Sequence, residues 1–240
     1  MRRRIQGSYG IDAPYVPIIC AVATVGCLVL AILASGTSSA IWWSAWALVF
    51  AAQTVVYLNT TLRGKFAIWA ALIDQQKFDG SEDVLDVGCG RGMVLITTAL
   101  ALKDGKATGI DLWRSRDQSG NDPAATTANA ELNGIADRIE LQTADMAKLP
   151  FADASFDAVT ANVAIQNIKD RELRRQTISE MYRVTKPAGR ILITDIQYVK
   201  EYRDDLITCG AKDVTVTRLG IRGWFGNPFF ASTLVSARKP

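Results

Sequence analysis

Histidine is absent from all 240 residues. Its absence excludes imidazole bases, histidine-dependent triads and histidine metal ligands, so any proton in a reaction must pass to Asp, Glu, Tyr, Lys, Cys or solvent. Cysteine is scarce: Cys20, Cys27, Cys89 and Cys209 form no CxxC pair and no regular framework, which points to a reducing compartment and to no bound metal. A basic excess is also missing. With 27 Lys and Arg interleaved among 24 Asp and Glu, the net charge is only +3, and no polybasic face for nucleic acid is implied. Neither a GxGxxG dinucleotide fingerprint nor a GxxxxGK[ST] phosphate loop occurs.

Charge of either sign is missing from Ala13 to Leu62. This run carries the apolar excess behind the mean hydropathy of +0.10, a high value for a soluble chain. Within it, residues 16–34 and 41–58 are almost wholly apolar and are separated by Ser35-Gly36-Thr37-Ser38-Ser39. Each stretch as a helix spans about 28 Å, the thickness of a bilayer core. Arg2, Arg3 and Arg4 precede the first stretch, Arg63 and Lys65 follow the second, and the connecting loop is uncharged. The positive-inside rule then places both ends in the cytoplasm, with residues 35–40 outside. Trp42, Trp43 and Trp46 at one interface and Tyr9 and Tyr15 at the other suit an aromatic belt. The expectation is a multi-pass membrane segment over 1–62 with two transmembrane helices. Competing readings are a cleaved signal peptide ending near Ala34, two core helices of a larger globule, and a re-entrant hairpin.

Residues 63–240 have the length of one ordinary domain, and their pattern alternates. Val84–Val87 reads as a buried strand, and Met93–Lys103 as a helix after a glycine loop. Further strands are expected at Ala107–Leu112, Ile139–Ala144, Phe156–Ala164, Arg190–Asp195, Val214–Leu219 and Phe229–Ala237, with helices at Asp122–Asn133, Asp170–Val184 and Val199–Thr208. Pro187 and Gly189 stop the fifth strand upstream. The alternation predicts an α/β fold, a mostly parallel sheet with helices on both faces.

The glycine loop reads Asp86-x-Gly88-x-Gly90-x-Gly92. Glycines beyond a strand's carboxyl end let a ligand approach the backbone. An acid two residues before the first glycine would repel a pyrophosphate, yet it suits a ligand carrying an ammonium group and a positive sulfur. S-adenosyl-L-methionine is such a ligand.

On the run VLDVGCGRG, the chain resembles the class I S-adenosylmethionine-dependent methyltransferases over about 84–239. The segment AKLPFADASFDAV is similar to the type 11 branch that contains the ubiquinone and menaquinone methyltransferases. The resemblance implies a Rossmann-like, seven-stranded sheet and a cofactor site of Asp86, Gly88, Cys89, Gly90 and Gly92. It makes Asp111 the ribose-binding acid and Asp145 the adenine-side acid, with Leu112 and Met146 against the purine. Cys89 reads as a small residue whose backbone lines the ligand. Asn162, at the end of the fourth strand, is expected at the cofactor and acceptor, and Gln166 and Asn167 are orienting candidates. Asp195 and Tyr198 are candidate bases. The loops 113–121 and 223–230 are candidate lids, or simple surface connections.

These expectations converge on an enzyme that methylates a small apolar or membrane-held acceptor, a quinone precursor or a lipid. The alternatives are a soluble amine or thiol acceptor with the hairpin only localising the enzyme, and a cofactor-binding module without catalysis.

Overall fold

The computed structural model describes residues 5–240. Arg2, Arg3 and Arg4, expected to mark the cytoplasmic side, lie outside the described residues. Two helices form a hairpin: α1 (Tyr15–Leu33) and α2 (Ser38–Asn59). Pro17 is tolerated in the first turn of α1, where backbone N–H groups have no helical partner. Gly36 turns the chain at a φ of +84°. Both helices are long and apolar enough to cross a membrane. They bury little of themselves: Val22, Leu33 and Leu48 are 66%, 77% and 72% exposed. Core helices of a globule would be buried, so that reading of the two stretches does not hold.

The second helix does not stop near the boundary expected at residues 62 and 63. It passes through a π-helical turn (Thr60–Gly64) into α3 (Lys65–Gln76), making one helix of 39 residues. Burial switches at this turn. Above it, α2 buries only Ala47 and Tyr57; below it, Thr60, Thr61, Lys65, Trp69, Leu72 and Ile73 are all buried. Gly64 permits the close approach, since a Cβ there would collide with the carbonyl oxygen of Arg222. Thr60 Oγ1 donates to the Trp224 carbonyl at 2.5 Å, and Phe225 meets Tyr57 edge-on with centroids 5.4 Å apart. The 223–230 loop is therefore a brace for the long helix.

Ahead of α1, residues 5–13 form a strap across the domain. Asn129 and Asn133, one helical turn apart, each grip one strap residue through both backbone groups. Asn129 accepts from Ser8 N and donates to Ser8 O, both at 2.9 Å; Asn133 does the same for Gln6 at 2.9 and 2.7 Å. Asp12 then bridges Gln118 in antiparallel fashion. Asp12 is also ion-paired with Lys65, at 2.8 Å, with side chains only 13% and 5% exposed. Lys65 is thus neutralised and does not act as a free interfacial charge; Arg63 remains exposed.

The remaining elements are β1 (Val84–Val87), α4 (Met93–Ala99), β2 (Ala107–Asp111), α5 (Pro123–Asn133), β3 (Ile139–Thr143), β4 (Phe156–Asn162), α6 (Arg171–Val184), β5 (Thr185–Asp195), α7 (Val199–Thr208), β6 (Lys212–Arg218) and β7 (Thr233–Arg238). Local chemistry explains the helix starts. Asp122 caps α5 by accepting from Ala124 N with Pro123 in the first turn, and Asp170 caps α6 by accepting from Leu173 N. The seven strands order as β3-β2-β1-β4-β5-β7-β6, with β7 antiparallel to both neighbours and the rest parallel. This is a Rossmann-like sheet whose order reverses between β1 and β4, the place where such sheets bind ligands.

Two edges differ from expectation. β5 begins at Thr185 rather than Arg190: Thr185 pairs with Phe156 and Arg190 with Ala158, so the four residues 186–189, with Pro187 and Gly189, loop out between them. β7 begins at Thr233 rather than Phe229, because Pro228 starts a 3-10 turn capped by Asn227, which accepts from Phe229 N at 2.9 Å. The core lies on both sheet faces, with Leu95, Ile96 and Trp69 on one and Ile178, Met181 and Tyr202 on the other.

Removing one member of a buried ion pair strands the other. Lys65→Ala is expected to cost about 3–5 kcal/mol, read as a lowered midpoint in denaturant melts of the full chain in detergent. A change below about 1 kcal/mol, the size of a surface pair, would show that the Asp12 pair is not buried in solution.

Candidate cofactor and acceptor site

A cleft of about 740 Å³ opens at the carboxyl ends of β1, β2 and β4. The glycine loop forms its floor. Gly88 N and Cys89 N both donate to Ile110 O, at 2.8 and 3.0 Å, which ties the loop to β2. Gly88, Gly90 and Gly92 all have positive φ, from 51° to 82°, a region that favours glycine. A Cβ at Gly90 would lie 2.5 Å from Gln118 Oε1, and one at Gly92 would lie 2.7 Å from Thr126. Backbone conformation and neighbouring side chains thus favour glycine at these two positions, in addition to the ligand approach expected from the sequence.

Asp86 is buried at the end of β1. Its Oδ1 accepts from Thr160 Oγ1 at 2.8 Å, and its Oδ2 is buried without a partner. Burial pushes its pKa up to about 7, against the hydrogen bond from Thr160. A carboxylate left half satisfied at a cleft floor is suited to a cationic ligand. Asp111 ends β2; its Oδ2 accepts from Gly90 N at 2.9 Å, and its Oδ1 from Trp113 N at 2.6 Å and Asn121 Nδ2 at 3.2 Å. Asn121 in turn leaves its Oδ1 buried and unpartnered. Asp145 is exposed at the far rim with Ala147 N donating to its Oδ1 at 2.9 Å, and Leu112 and Met146 line the same end. Cys89 is buried, and burial raises its thiol well above the ordinary range, which keeps it protonated and unreactive.

Asn162 stands where β4 meets the cleft. The indole of Trp69 can only donate, and it donates to Asn162 Oδ1 at 2.9 Å; Thr194 Oγ1 donates to the same oxygen at 2.8 Å. The amide orientation is fixed by that indole. What Asn162 presents to a ligand is therefore its NH₂ group. Gln166 also lines the cleft, with Oε1 buried and unpartnered.

Two candidate bases are not brought to the cleft. Asp195 is fully buried, and accepts from Ile196 N at 2.9 Å, Gln166 N at 3.1 Å and Tyr202 Oη at 3.3 Å. Burial raises its pKa to about 7, but its bonds make it an anchor for the 165–167 turn. Tyr198 caps the start of α7 with φ of 57°, and its ring packs on the Arg174 guanidinium at 3.7 Å. The 113–121 loop is likewise no free lid: Gln118 accepts from Arg91 N at 2.9 Å and donates to Asp12 at 3.1 Å.

The opposite end of the cleft is walled by Ala13, Tyr15, Tyr57, Lys65 and Phe225, all at the foot of the helical hairpin. None of these was singled out as a site residue from sequence. The available signal was Asp12, the only acid before the uncharged run.

Residues 85–193 match the methyltransferase domain family. The chain carries a methyltransferase domain of Rossmann-like fold, and the cleft residues fit S-adenosyl-L-methionine: Asp86 Oδ2 is an orphaned buried acceptor, and Asp111 faces the cleft from the end of β2. The chain is 33% identical over 131 residues to the demethylmenaquinone methyltransferase of Symbiobacterium thermophilum, covering 54% of this chain and 49% of that one. It is 35% identical over 120 residues to the ubiquinone/menaquinone biosynthesis C-methyltransferase of Geotalea daltonii, covering 50% and 47%. The chain spans about half the length of these relatives. Among solved structures, the geranyl diphosphate C-methyltransferase of Streptomyces coelicolor aligns with a TM-score of 0.56 at 16% identity, over 71% of this chain and 78% of that one. The [4+2]-cyclase SpnF aligns at 0.59 and 19% identity, over 71% and 80%. The last two likenesses concern the fold alone.

If an ammonium ligand pairs with ionised Asp86, affinity for S-adenosyl-L-methionine depends on pH. Below about 7 the carboxyl is protonated in the free protein and binding must expel that proton. Affinity is expected to fall by up to about tenfold per pH unit below 7, to level off just above it, and to fall again above about 8 as the ligand's own α-amino group loses its proton. Calorimetry across this range checks the slope, and Asp86→Asn should remove it; a flat profile in the unaltered protein contradicts the role given to Asp86.

Proposed function

We propose that the protein is a membrane-anchored methyltransferase, with its catalytic domain on the cytoplasmic side, that transfers a methyl group from S-adenosyl-L-methionine to a small apolar or membrane-held acceptor such as a quinone precursor or a lipid. One observation carries the reading: the cleft that begins at Asp86 ends at Tyr15 and Tyr57, at the foot of an exposed apolar hairpin. An acceptor dissolved in the bilayer would meet the cleft without crossing bulk water, and confinement to the surface raises its effective concentration. The likeness to quinone methyltransferases supports the same acceptor class.

Methyl transfer from a sulfonium is an in-line displacement, and the sulfonium supplies the leaving group. The chain's part is alignment and exclusion of water. Asp86 holds the cationic end of the cofactor and Asp111 its ribose. Asn162, locked by Trp69 and Thr194, donates from its NH₂ group to an oxygen of the acceptor. With Asp195 and Tyr198 outside the cleft, an acceptor that ionises easily or loses its proton to solvent fits best, as an acidic phenol or an activated ring carbon does.

The full chain in nanodiscs, given cofactor labelled at the methyl carbon together with a total lipid extract or with water-soluble metabolites, is expected to place label in the lipid fraction. Label confined to the soluble metabolites would establish a soluble acceptor. Cofactor binding with no transfer to either would establish a binding module instead. Topology has its own check. Single cysteines at Ser8, Ser38 and Ser81, in a background lacking the native four, are treated in intact cells with an impermeant thiol reagent. Labelling is expected at Ser38 alone; labelling at Ser8 or Ser81 overturns the cytoplasmic placement, and no labelling overturns the spanning hairpin.

A further inference from the structure

On the other side of the strap from the cofactor cleft lies a larger groove of about 1200 Å³. Its long wall is α3. Leu62, Phe66, Ala70, Ile73 and Lys77 recur every three or four residues along the lining, the spacing of one helix face, and run roughly 22 Å at 1.5 Å per residue. Strap residues from Ile5 to Ile11 form the opposite wall, and Leu100 and Ala101 at the end of α4 close the floor. Small residues, Gly7, Gly10, Ala67, Ala70 and Ala101, keep the channel open between the larger apolar ones.

The two ends of this groove differ. One end is Leu62 and Arg63, both exposed, just below the last residues of the apolar helix α2. Arg63 forms no ion pair among the described residues, and it stands where a lipid headgroup would lie. Inward from it the lining turns mostly apolar, and Asp74, Lys77 and Phe78 stand at the far end. The length exceeds the roughly 15 Å depth of one leaflet, half of a bilayer core of about 30 Å, and so leaves room for one extended lipid chain. An open apolar groove of this size, continuous with an exposed apolar helix and marked by a cation at the junction, is matched to a lipid that enters chain first.

We propose that this groove binds one hydrocarbon chain of an anionic bilayer phospholipid, drawn in past Leu62 with its headgroup at Arg63. The site is separate from the methyl-transfer cleft, from which it is divided by the strap and the Asp12–Lys65 pair. It rests on the membrane reading of the hairpin. A lipid bound there would fill the space between α3 and the strap and so hold the strap against α5.

The full chain is reconstituted in nanodiscs of phosphatidylcholine and phosphatidylglycerol, the latter carrying a diazirine in one acyl chain, then irradiated and mapped by peptide mass spectrometry. Label is expected on α1 and α2 and also on peptides holding Phe66, Ile73 and Leu100. Ala67→Trp and Ala101→Trp, at exposed positions on the helical wall and the floor, should each lower the groove label at least about fivefold by filling its volume, with label on α1 and α2 and the melting midpoint unchanged. Arg63→Gln should lower it as well. Label on α1 and α2 without the groove overturns this proposal and leaves the membrane reading standing; the groove would then fit a second copy of the chain, seen as a doubled mass. Label on neither overturns both. Groove label that persists in both tryptophan variants also overturns the proposal.

Discussion

The ion pair between Asp12 and Lys65 joins every part of the molecule. These two charges flank the uncharged run on either side, and folding brings them together at the foot of the hairpin that the run forms. Burying two charges is costly unless every polar atom around them is used. Here they are: Asp12 Oδ1 also accepts from Gln118 at 3.1 Å, Oδ2 from Thr61 at 3.0 Å, and the Asp12 carbonyl from Tyr57 at 2.7 Å. Tyr57, Thr61 and Lys65 all belong to the one long helix, so a single acid of the strap fixes where that helix crosses the domain. Together with the 223–230 brace and the buried face of α3, the pair makes the hairpin an extension of the domain.

The same knot reaches the cofactor loop. Gln118 lies between Asp12 and the Arg91 backbone N–H, one residue from Gly90. Gly90 N in turn donates to Asp111, so the carboxylate expected at the ribose is connected to the hairpin through three hydrogen bonds and an ion pair. Coupling through such a contiguous chain of contacts requires two arrangements of some element before it can act as a switch. The structure shows one arrangement, and in it the linkage acts as a positioning device. It sets the distance between the glycine loop and the foot of the hairpin.

Most of the sheet was legible because its signals are local. The buried run Val84–Val87, the glycine spacing and the Asp122-Pro123 and Asp170 caps each depend on a few adjacent residues, and each lies where the pattern put it. The strap was not legible, because its contacts are backbone groups held by Asn129 and Asn133, two amides of α5 more than 120 residues away in sequence. Nor was the continuity of α2 into α3. Hydropathy falls at Leu62, but helical hydrogen bonding is indifferent to the solvent outside it, so a change of environment need not be a break in the helix. Asp195 and Tyr198 carry suitable chemistry at the expected strand end, yet a one-dimensional pattern does not say which way a side chain turns. Tyr202, seven residues beyond Asp195, takes the carboxylate into the core instead.

The position of the cleft follows from these constraints taken together. The switch point of the sheet faces the foot of the apolar hairpin, where Tyr15 and Tyr57 wall the cleft. Asn162 lies on β4 beside that switch point, and its orientation depends on Trp69 of α3, the continuation of the second apolar helix. The indole is fully buried and donates its single proton to Asn162. The helix that is apolar and exposed at one end therefore sets, at the other, an amide that lines the cleft. The hairpin and the cleft are joined by one element, and a rotation of that helix would move both.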